Sequence, residues 1–307
     1  MTAYIRGKLL STVIVLFGVS LLSFMILHLI PGDPVQVMSG QTGASASDME
    51  KLRHQLGLDN PIYVQYVNFI TNALQGDLGR SIISRQPVSR MVLDQIVPTI
   101  KLTVAGMGLA IVMGVTLGIA AAVRPNSLLD SGIMIVATLG IAIPSFWFAL
   151  LLIYAFSVHY HWFPAAGGQG LKPLVLPAVT LGISAAAVIA RLTRSSMLEV
   201  MRQDYIGTAR AKGLRERAVV YRHGLKNALI PVVTVVGLQF GALLSGAVIV
   251  ETVFARQGIG RLAIDAILNK DYPLVQGTVL ITATAYVLTN LVIDLLYAML
   301  DPRLRHG

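Results

Sequence analysis

Residues Asp204–Pro231 read DYIGTARAKGLRERAVVYRHGLKNALIP, a strongly basic stretch of helical pattern between two segments apolar enough to cross a membrane. From Arg191 to Lys226 stand nine Lys/Arg (Arg191, Arg194, Arg202, Arg210, Lys212, Arg215, Arg217, Arg222, Lys226) against three acids (Glu199, Asp204, Glu216), a net +6 out of the chain's formal +9. Asp204 is a natural N-cap, Tyr205 to Lys212 suit two helical turns with cations at the C-terminal end, and Gly213 closes them. So short a helix is marginal in water unless it is docked. By composition alone it is either an anchor lying on lipid headgroups or a docking element. With only two tyrosines available for stacking, and membrane segments on both sides, nucleic acid is not an expected partner.

The sequence on either side explains why charge gathers here. The 307 residues are 55% hydrophobic and 13% charged, with mean hydropathy +0.71. Charge this sparse does not keep a soluble surface hydrated, whereas uncharged runs of roughly 20 residues satisfy their backbone in a bilayer as helices. Six spans are expected: Leu9 to Ile30, Leu102 to Val123, Ile133 to Val158, Leu174 to Ala190, Leu229 to Val250 and Val275 to Leu300. Arg6 and Lys8 precede the first, whose apolar run exceeds the roughly 7 to 15 residues of a signal-peptide core. The small-residue site Ala44-Ser45-Ala46 lies well past that run, so an uncleaved signal anchor is expected. With the N-terminus cytoplasmic, the inner segments hold fourteen Lys/Arg and the outer ones ten, which places both termini inside by the positive-inside rule. There are no cysteines, which excludes disulfides, thiol catalysis and cysteine metal sites.

Three divisions are expected: 1–30, the cytoplasmic N-terminus and first span; 31–98, an external helical region; and 99–307, a core of five spans containing the loop 191–228. In the external region Ser47-Asp48-Met49-Glu50 has capping-box spacing, followed by Met49, Leu52 and Leu56 until Gly57. A second helix from Pro61 to about Leu74 puts Tyr63, Tyr66, Val67 and Ile70 on one face, and a third from Pro87 carries Val88, Met91, Val92 and Ile96. These helices suit either a packing cap or a docking surface for an outside partner. In the second span small residues recur at Gly106, Ala110, Gly114, Gly118 and Ala122, and in the fifth at Gly237, Gly241 and Ser245, for close packing within this subunit or against a second one. Pro144, Pro177 and Pro231 sit within or at the ends of spans, where they are expected to kink helices or to free carbonyls that can line a cavity.

No GxxxxGK[ST], HExxH, GxSxG or dinucleotide fingerprint occurs in the sequence, so no catalytic site is expected. His159 and His161 in HYHW lack a carboxylate or third histidine nearby, and with Tyr160 and Trp162 they read as an interfacial belt rather than a metal site. The ionisable groups inside spans are His28, within reach of headgroups, and Asp294, placed for a helix-to-helix bond or for substrate. A proton- or sodium-driven carrier needs more such groups, which points to an external energy source.

Several motifs in order resemble one family: LIPGDP at Leu29 to Pro34, LGLDNPIYVQY at Leu56 to Tyr66, GDLGRS at Gly76 to Ser81, IPSFW at Ile143 to Trp147, GTARAKGL at Gly207 to Leu214, RHGLKNALIP at Arg222 to Pro231, IVETVF at Ile249 to Phe254, GIGRL at Gly258 to Leu262, NKDYPLVQG at Asn269 to Gly277 and DLLYAMLDPR at Asp294 to Arg303. Together they resemble the first permease of the pair in bacterial ABC importers of the dipeptide, oligopeptide, glutathione and nickel group. The resemblance implies an all-α polytopic membrane protein of the bacterial inner membrane, with the six transmembrane helices of the type I ABC importer permease class. It implies uptake of dipeptides or short oligopeptides, glutathione among them, with nickel as the alternative within the family and a self-sufficient carrier or channel, or an intramembrane enzyme, as the alternatives outside it. Implied partners are a homologous second permease, two ATP-binding subunits, a substrate-binding protein outside and membrane lipid. ATP and magnesium belong to the ATPase subunits, and this chain has no cofactor of its own. The basic loop corresponds to the EAA loop, whose short helix seats in an ATPase groove. The implied coupling residues are Tyr205, Gly207, Thr208, Ala209, Arg210, Ala211, Lys212, Gly213, Arg222, His223 and Asn227. Gly207 stands where the motif has Glu, and Lys226 where a Pro is usual.

Overall fold

The computed structural model describes residues 2–29, 50, 54, 59–168 and 170–300, with side chains at 6–25, 50, 54, 59–168 and 170–293. The helix expected after Ser47 and the side chains of His28 and Asp294 lie outside the described residues. In chain order the helices are α1 Thr2–Leu29, α2 Ile62–Leu74, α3 Val88–Val123, α4 Leu128–Ala142, α5 Ser145–Leu152, α6 Lys172–Val200, α7 Asp204–Ala211, α8 Glu216–Ala218, α9 Leu225–Val253, α10 Ile259–Leu268 and α11 Tyr272–Leu300. Two π-helical segments, Ile153–His159 and Val219–Gly224, extend α5 and join α8 to α9. Among the described residues the only pairing of extended backbone is an isolated bridge between Arg80 and Pro87, as expected of a chain whose solvent is lipid.

Among the described residues five continuous helical stretches, in α1, α3, α6, α8 through α9, and α11, are long and apolar enough to cross a membrane. The remaining crossing, expected from Ile133 to Val158, is not one straight helix. Instead α4 and the α5 stretch form a pair bent by 108°. The break sits at Ile143 and Pro144, where Ile143 is extended (φ −75°, ψ 125°) because a proline disfavours the helical conformation of the residue before it. By contrast, the third external helix is not separate. Val88, Met91, Val92 and Ile96 begin the 36-residue α3, which runs on through Pro98 into the second span.

The chain forms two compact units, residues 1–98 with 257–307, and residues 99–256. In the first, α1 packs on α11, and α10 also lies on α11. Tyr66 fastens α2 to α1 through a 2.8 Å hydrogen bond with the Ser20 hydroxyl and an edge-on contact with Phe24 at 5.4 Å. Tyr63 and Val67, expected on the same face, are 72% and 55% exposed, because the short α2 turns only its Tyr66 and Phe69 side toward Phe24. At the start of α11 the buried Asp271 accepts hydrogen bonds from the Ser81 hydroxyl and from the backbone N–H groups of Ile82 and Leu274. One carboxylate thus caps the helix and holds the 79–88 turn against it.

The second unit is organised around α6. A Cβ added at Gly114 would lie 2.6 Å from Ile189 Cγ2 and 2.8 Å from the Ala186 carbonyl oxygen, and one at Gly118 would lie 2.7 Å from the Ala190 oxygen. The small-residue stripe of the second span is therefore filled by α6 of the same subunit. In lipid, where burial of apolar surface gives no drive to association, such close backbone approach is what holds helices together. Leu102, Ala110, Leu181, Ala185, Ile189, Leu243 and Ala247 complete a core shared by α3, α6 and α9. At one end of α6 Arg194 donates two hydrogen bonds to Asp130, the second of 2.6 Å, and Asp130 is 2% exposed. Gly114→Ala and Gly118→Ala are expected to destabilise the subunit by about 1–3 kcal/mol each through overpacking against backbone. Gly108→Ala, with nothing within 4 Å of its Cβ, should not destabilise, since alanine is the better helix former. Thermal unfolding in detergent separates the three.

Candidate functional site

The basic loop begins where α6 ends. Gln203 leaves the helical region (φ −73°, ψ 147°) and is the N-cap of α7, without a side-chain capping bond. Asp204 is consequently the first helical residue rather than the cap, and acts through its charge at the positive end of the helix. At the other end Gly213 adopts φ +75°, its N–H bonds to the Arg210 oxygen at 2.9 Å and the Leu214 N–H reaches the Ala209 oxygen at 3.4 Å. Those two bonds are the Schellman pattern, and the left-handed residue it requires is most easily a glycine.

Eight residues do not form a stable helix alone, so α7 must be held by its surroundings. Ile206 and Ala209, three positions apart and so on one face, are 0% and 6% exposed and pack with Val219 and Met201. Full burial of a side chain such as Ile206 contributes roughly 1.5–3 kcal/mol, enough to fix a helix of two turns. Val219 opens the π-helical segment, and Gly224 ends it, packed so closely that an added Cβ would meet Met201 Sδ at 3.0 Å and require that side chain to shift. Two polar ties complete the seat. Arg210 donates Nη2 to Glu216 Oε1 at 2.7 Å and Nε to Oε2 at 3.1 Å, which closes the Gly213 turn. The carboxylate holds the Arg210 guanidinium above its ordinary pKa, so it stays charged. Asn227 Nδ2, in the first turn of α9, donates to the Tyr205 hydroxyl at 2.8 Å.

The residues singled out in the sequence thus divide by position. Gly207, Thr208, Arg210, Ala211, Lys212 and Gly213 are exposed. Ala209 faces inward and belongs to the seat. Tyr205 and Asn227 are brought together, whereas Arg222 is exposed and His223 half-buried on the π-helical segment. Sequence reading missed Ile206, Met201 and Val219, although two apolar residues at helical spacing in a polar loop were a usable signal. It counted Arg194 and Arg210 only toward the loop's net charge, and the structure pairs them with Asp130 and Glu216. Where the EAA pattern has a glutamate, Gly207 has nothing within 4 Å of its Cβ direction, so the position is open toward solvent.

Long apolar helices flank a short, seated helix on a basic loop. Residues 114–306 match the family described as the inner membrane component of binding-protein-dependent transport systems, and residues 1–103 match the N-terminal membrane component of the same systems. The chain belongs to this family and is an ABC importer permease of the bacterial inner membrane. It is similar over its whole length, 306 aligned residues and 100% of both chains, to the glutathione transport system permease protein GsiC of Escherichia coli O6:H1 strain CFT073 (45% identical) and of Escherichia coli strain K12 (44%). At the level of fold it resembles the MetNI methionine ABC transporter in an inward-facing conformation, with TM-score 0.58 and 20% identity over 69% of this chain and 96% of that one. It also resembles an amino acid ABC transporter, with TM-score 0.53 and 17% identity over 70% and 94%.

Gly213→Pro imposes a φ near −65° where +75° is needed and removes the 2.9 Å bond to Arg210, and a proline misplaced in this way costs on the order of 3 kcal/mol. Amide exchange across α7 should accelerate at least about tenfold in that variant. Gly207→Ala should slow it, since alanine is favoured over glycine in a helix by about 1 kcal/mol.

Proposed function

We propose that this chain forms half of the membrane path of an ATP-driven importer of short peptides, glutathione among them. The observation that carries the substrate class is its similarity, along the entire length, to two permeases named for glutathione transport. The other half of the path is a homologous second permease. That pairing is supported by the open face of α9, where Ile230, Thr234, Leu238, Ala242, Ser245 and Ile249 follow one another at helical intervals and are exposed. A face of that composition suits a second membrane helix and a partly polar path between the two.

Two ATP-binding subunits, holding the ATP and magnesium, dock on the exposed side of α7 formed by Gly207, Thr208, Arg210, Ala211 and Lys212, with Arg222 and His223 beside it. A substrate-binding protein delivers solute from outside. The termini and the basic loop are cytoplasmic, a reading supported by the fourteen-to-ten division of Lys/Arg. A docked helix influences a two-state bundle only if its seat differs in free energy between the inward- and outward-open states. The small, defined seat of α7 suits that requirement.

The chain is to be reconstituted in liposomes with its second permease, ATP-binding subunits and binding protein, and uptake of labelled glutathione, di- and tripeptides and nickel measured. ATP-dependent uptake of glutathione, inhibited by short peptides, is expected. Uptake of nickel alone would overturn the peptide reading, and uptake by this chain alone without ATP would make it a carrier. In the same system Gly213→Pro should leave membrane insertion intact, retain ATP hydrolysis and lose most of the uptake.

A further inference from the structure

We infer that Tyr205 and Asn227 are positioning residues that make α7 and α9 a single moving part, so that displacement of the docking helix is delivered to the fifth span at their shared hydrogen bond. The inference rests on the docking role of α7 proposed above. It concerns how motion leaves that helix.

Besides that bond, three connections lead from α7 toward α9, and they differ in what they can transmit. The covalent one passes through Gly213 in the left-handed region, the exposed stretch 212–217 and the π-helical segment Val219–Gly224 before α9 begins. A glycine hinge and then π-helical geometry absorb displacement rather than relaying it. The apolar seat of Ile206 and Ala209 rests on Val219 and Met201. Such contacts are non-directional, Met201 has a pliable side chain, and Val219 itself lies on the π-helical side of the junction. The Arg210–Glu216 pair ends at α8, before the π-helical segment.

Only the bond from Asn227 Nδ2 to the Tyr205 hydroxyl, among the polar contacts of α7 with described residues, crosses the whole junction. It spans 22 positions in sequence and 2.8 Å in space, from the first turn of α7 to the first turn of α9. A phenol ring is a rigid spacer with two side-chain torsions, and the bond is directional, so a shift of α7 along or across its axis pulls on α9. Both side chains are exposed, Tyr205 by 41%. Water competes for such a bond, which gives it little weight in folding. A partner seated on α7 excludes that water and strengthens the bond at the moment force is applied.

The test uses the complete complex in liposomes and reads substrate molecules transported per ATP hydrolysed, with assembly monitored by co-purification. Tyr205→Phe and Asn227→Leu should each lower the ratio by about three- to tenfold, as expected for one lost neutral hydrogen bond, with hydrolysis and assembly retained. The double variant should be no worse than either single one, because both remove the same bond. Asn227→Asp should recover most of the ratio, with the Tyr205 hydroxyl now donating to the carboxylate, and should recover none in the Tyr205→Phe background. An unchanged ratio in Tyr205→Phe, penalties that multiply in the double variant, or loss of assembly on removing the one hydroxyl would each overturn the inference while leaving the importer function standing. If the unmodified complex shows no ATP-driven uptake, both readings fall.

Discussion

Close approach of helix backbones around α6 is the constraint on which the rest of the second unit depends. Lipid is as apolar as leucine, so burial alone does not hold one membrane helix against another, and contact distance decides which helices stay together. At Gly114 and Gly118 there is no room for a methyl group between α3 and α6, and Gly246 of α9 lies as close as 3.3 Å, at its Cβ direction, to Leu181. With α6 fixed on two sides, its end at Arg194 is fixed too, and Asp130 holds it to the start of α4. A buried ion pair of this kind adds little net stability, but a mismatched register would leave a carboxylate buried and unpaired. It therefore specifies how α4 and α6 meet more than how strongly.

That arrangement determines where α7 points, since only Met201, Arg202 and Gln203 separate the two helices. The short helix α7 is a continuation of the most firmly packed element in its unit, turned by one extended residue and closed by a left-handed glycine. None of its individual ties is strong. The half-exposed Arg210–Glu216 bridge is of a type worth about 0–1 kcal/mol, and the Tyr205–Asn227 bond is open to water. Their combined effect is preorganisation, which lowers the entropy lost when a partner binds.

Departures from regular helix are concentrated at functionally suggestive positions. The α4–α5 pair is bent at Pro144, and both π-helical segments lie at ends of long apolar helices. Breaks of this kind leave carbonyl groups without their i+4 partners, which is tolerated at membrane depth only where protein or a polar path supplies replacements. Aromatic rings gather at one of them, where Tyr160 stacks on Trp162 at 5.1 Å with both rings exposed, as at a membrane surface.

Much of this was legible in the sequence, and the reasons for the exceptions are specific. Spans, the basic loop, the cap at Gly213 and the small-residue stripes follow from quantities that accumulate along the chain: transfer free energy over about 20 residues, local φ preference and helical periodicity. Asp204 was misplaced by one position because a cap is defined by the backbone turn at Gln203, which side-chain preference predicts only loosely. The fusion of the third external helix into α3 was obscured by Pro98, which local rules treat as a stop but which stands inside the continuous helix. What the sequence determined by itself was the class of solvent, the placement of the apolar spans and the existence of a short helix that needs a seat. Only the tertiary structure decided that the stripe of α3 is filled from within the subunit, that Arg194 belongs to Asp130, and that Tyr205 reaches Asn227. Those contacts join residues 64 and 22 positions apart, and their formation depends on how whole helices pack, a property of pairs of surfaces that no local pattern contains.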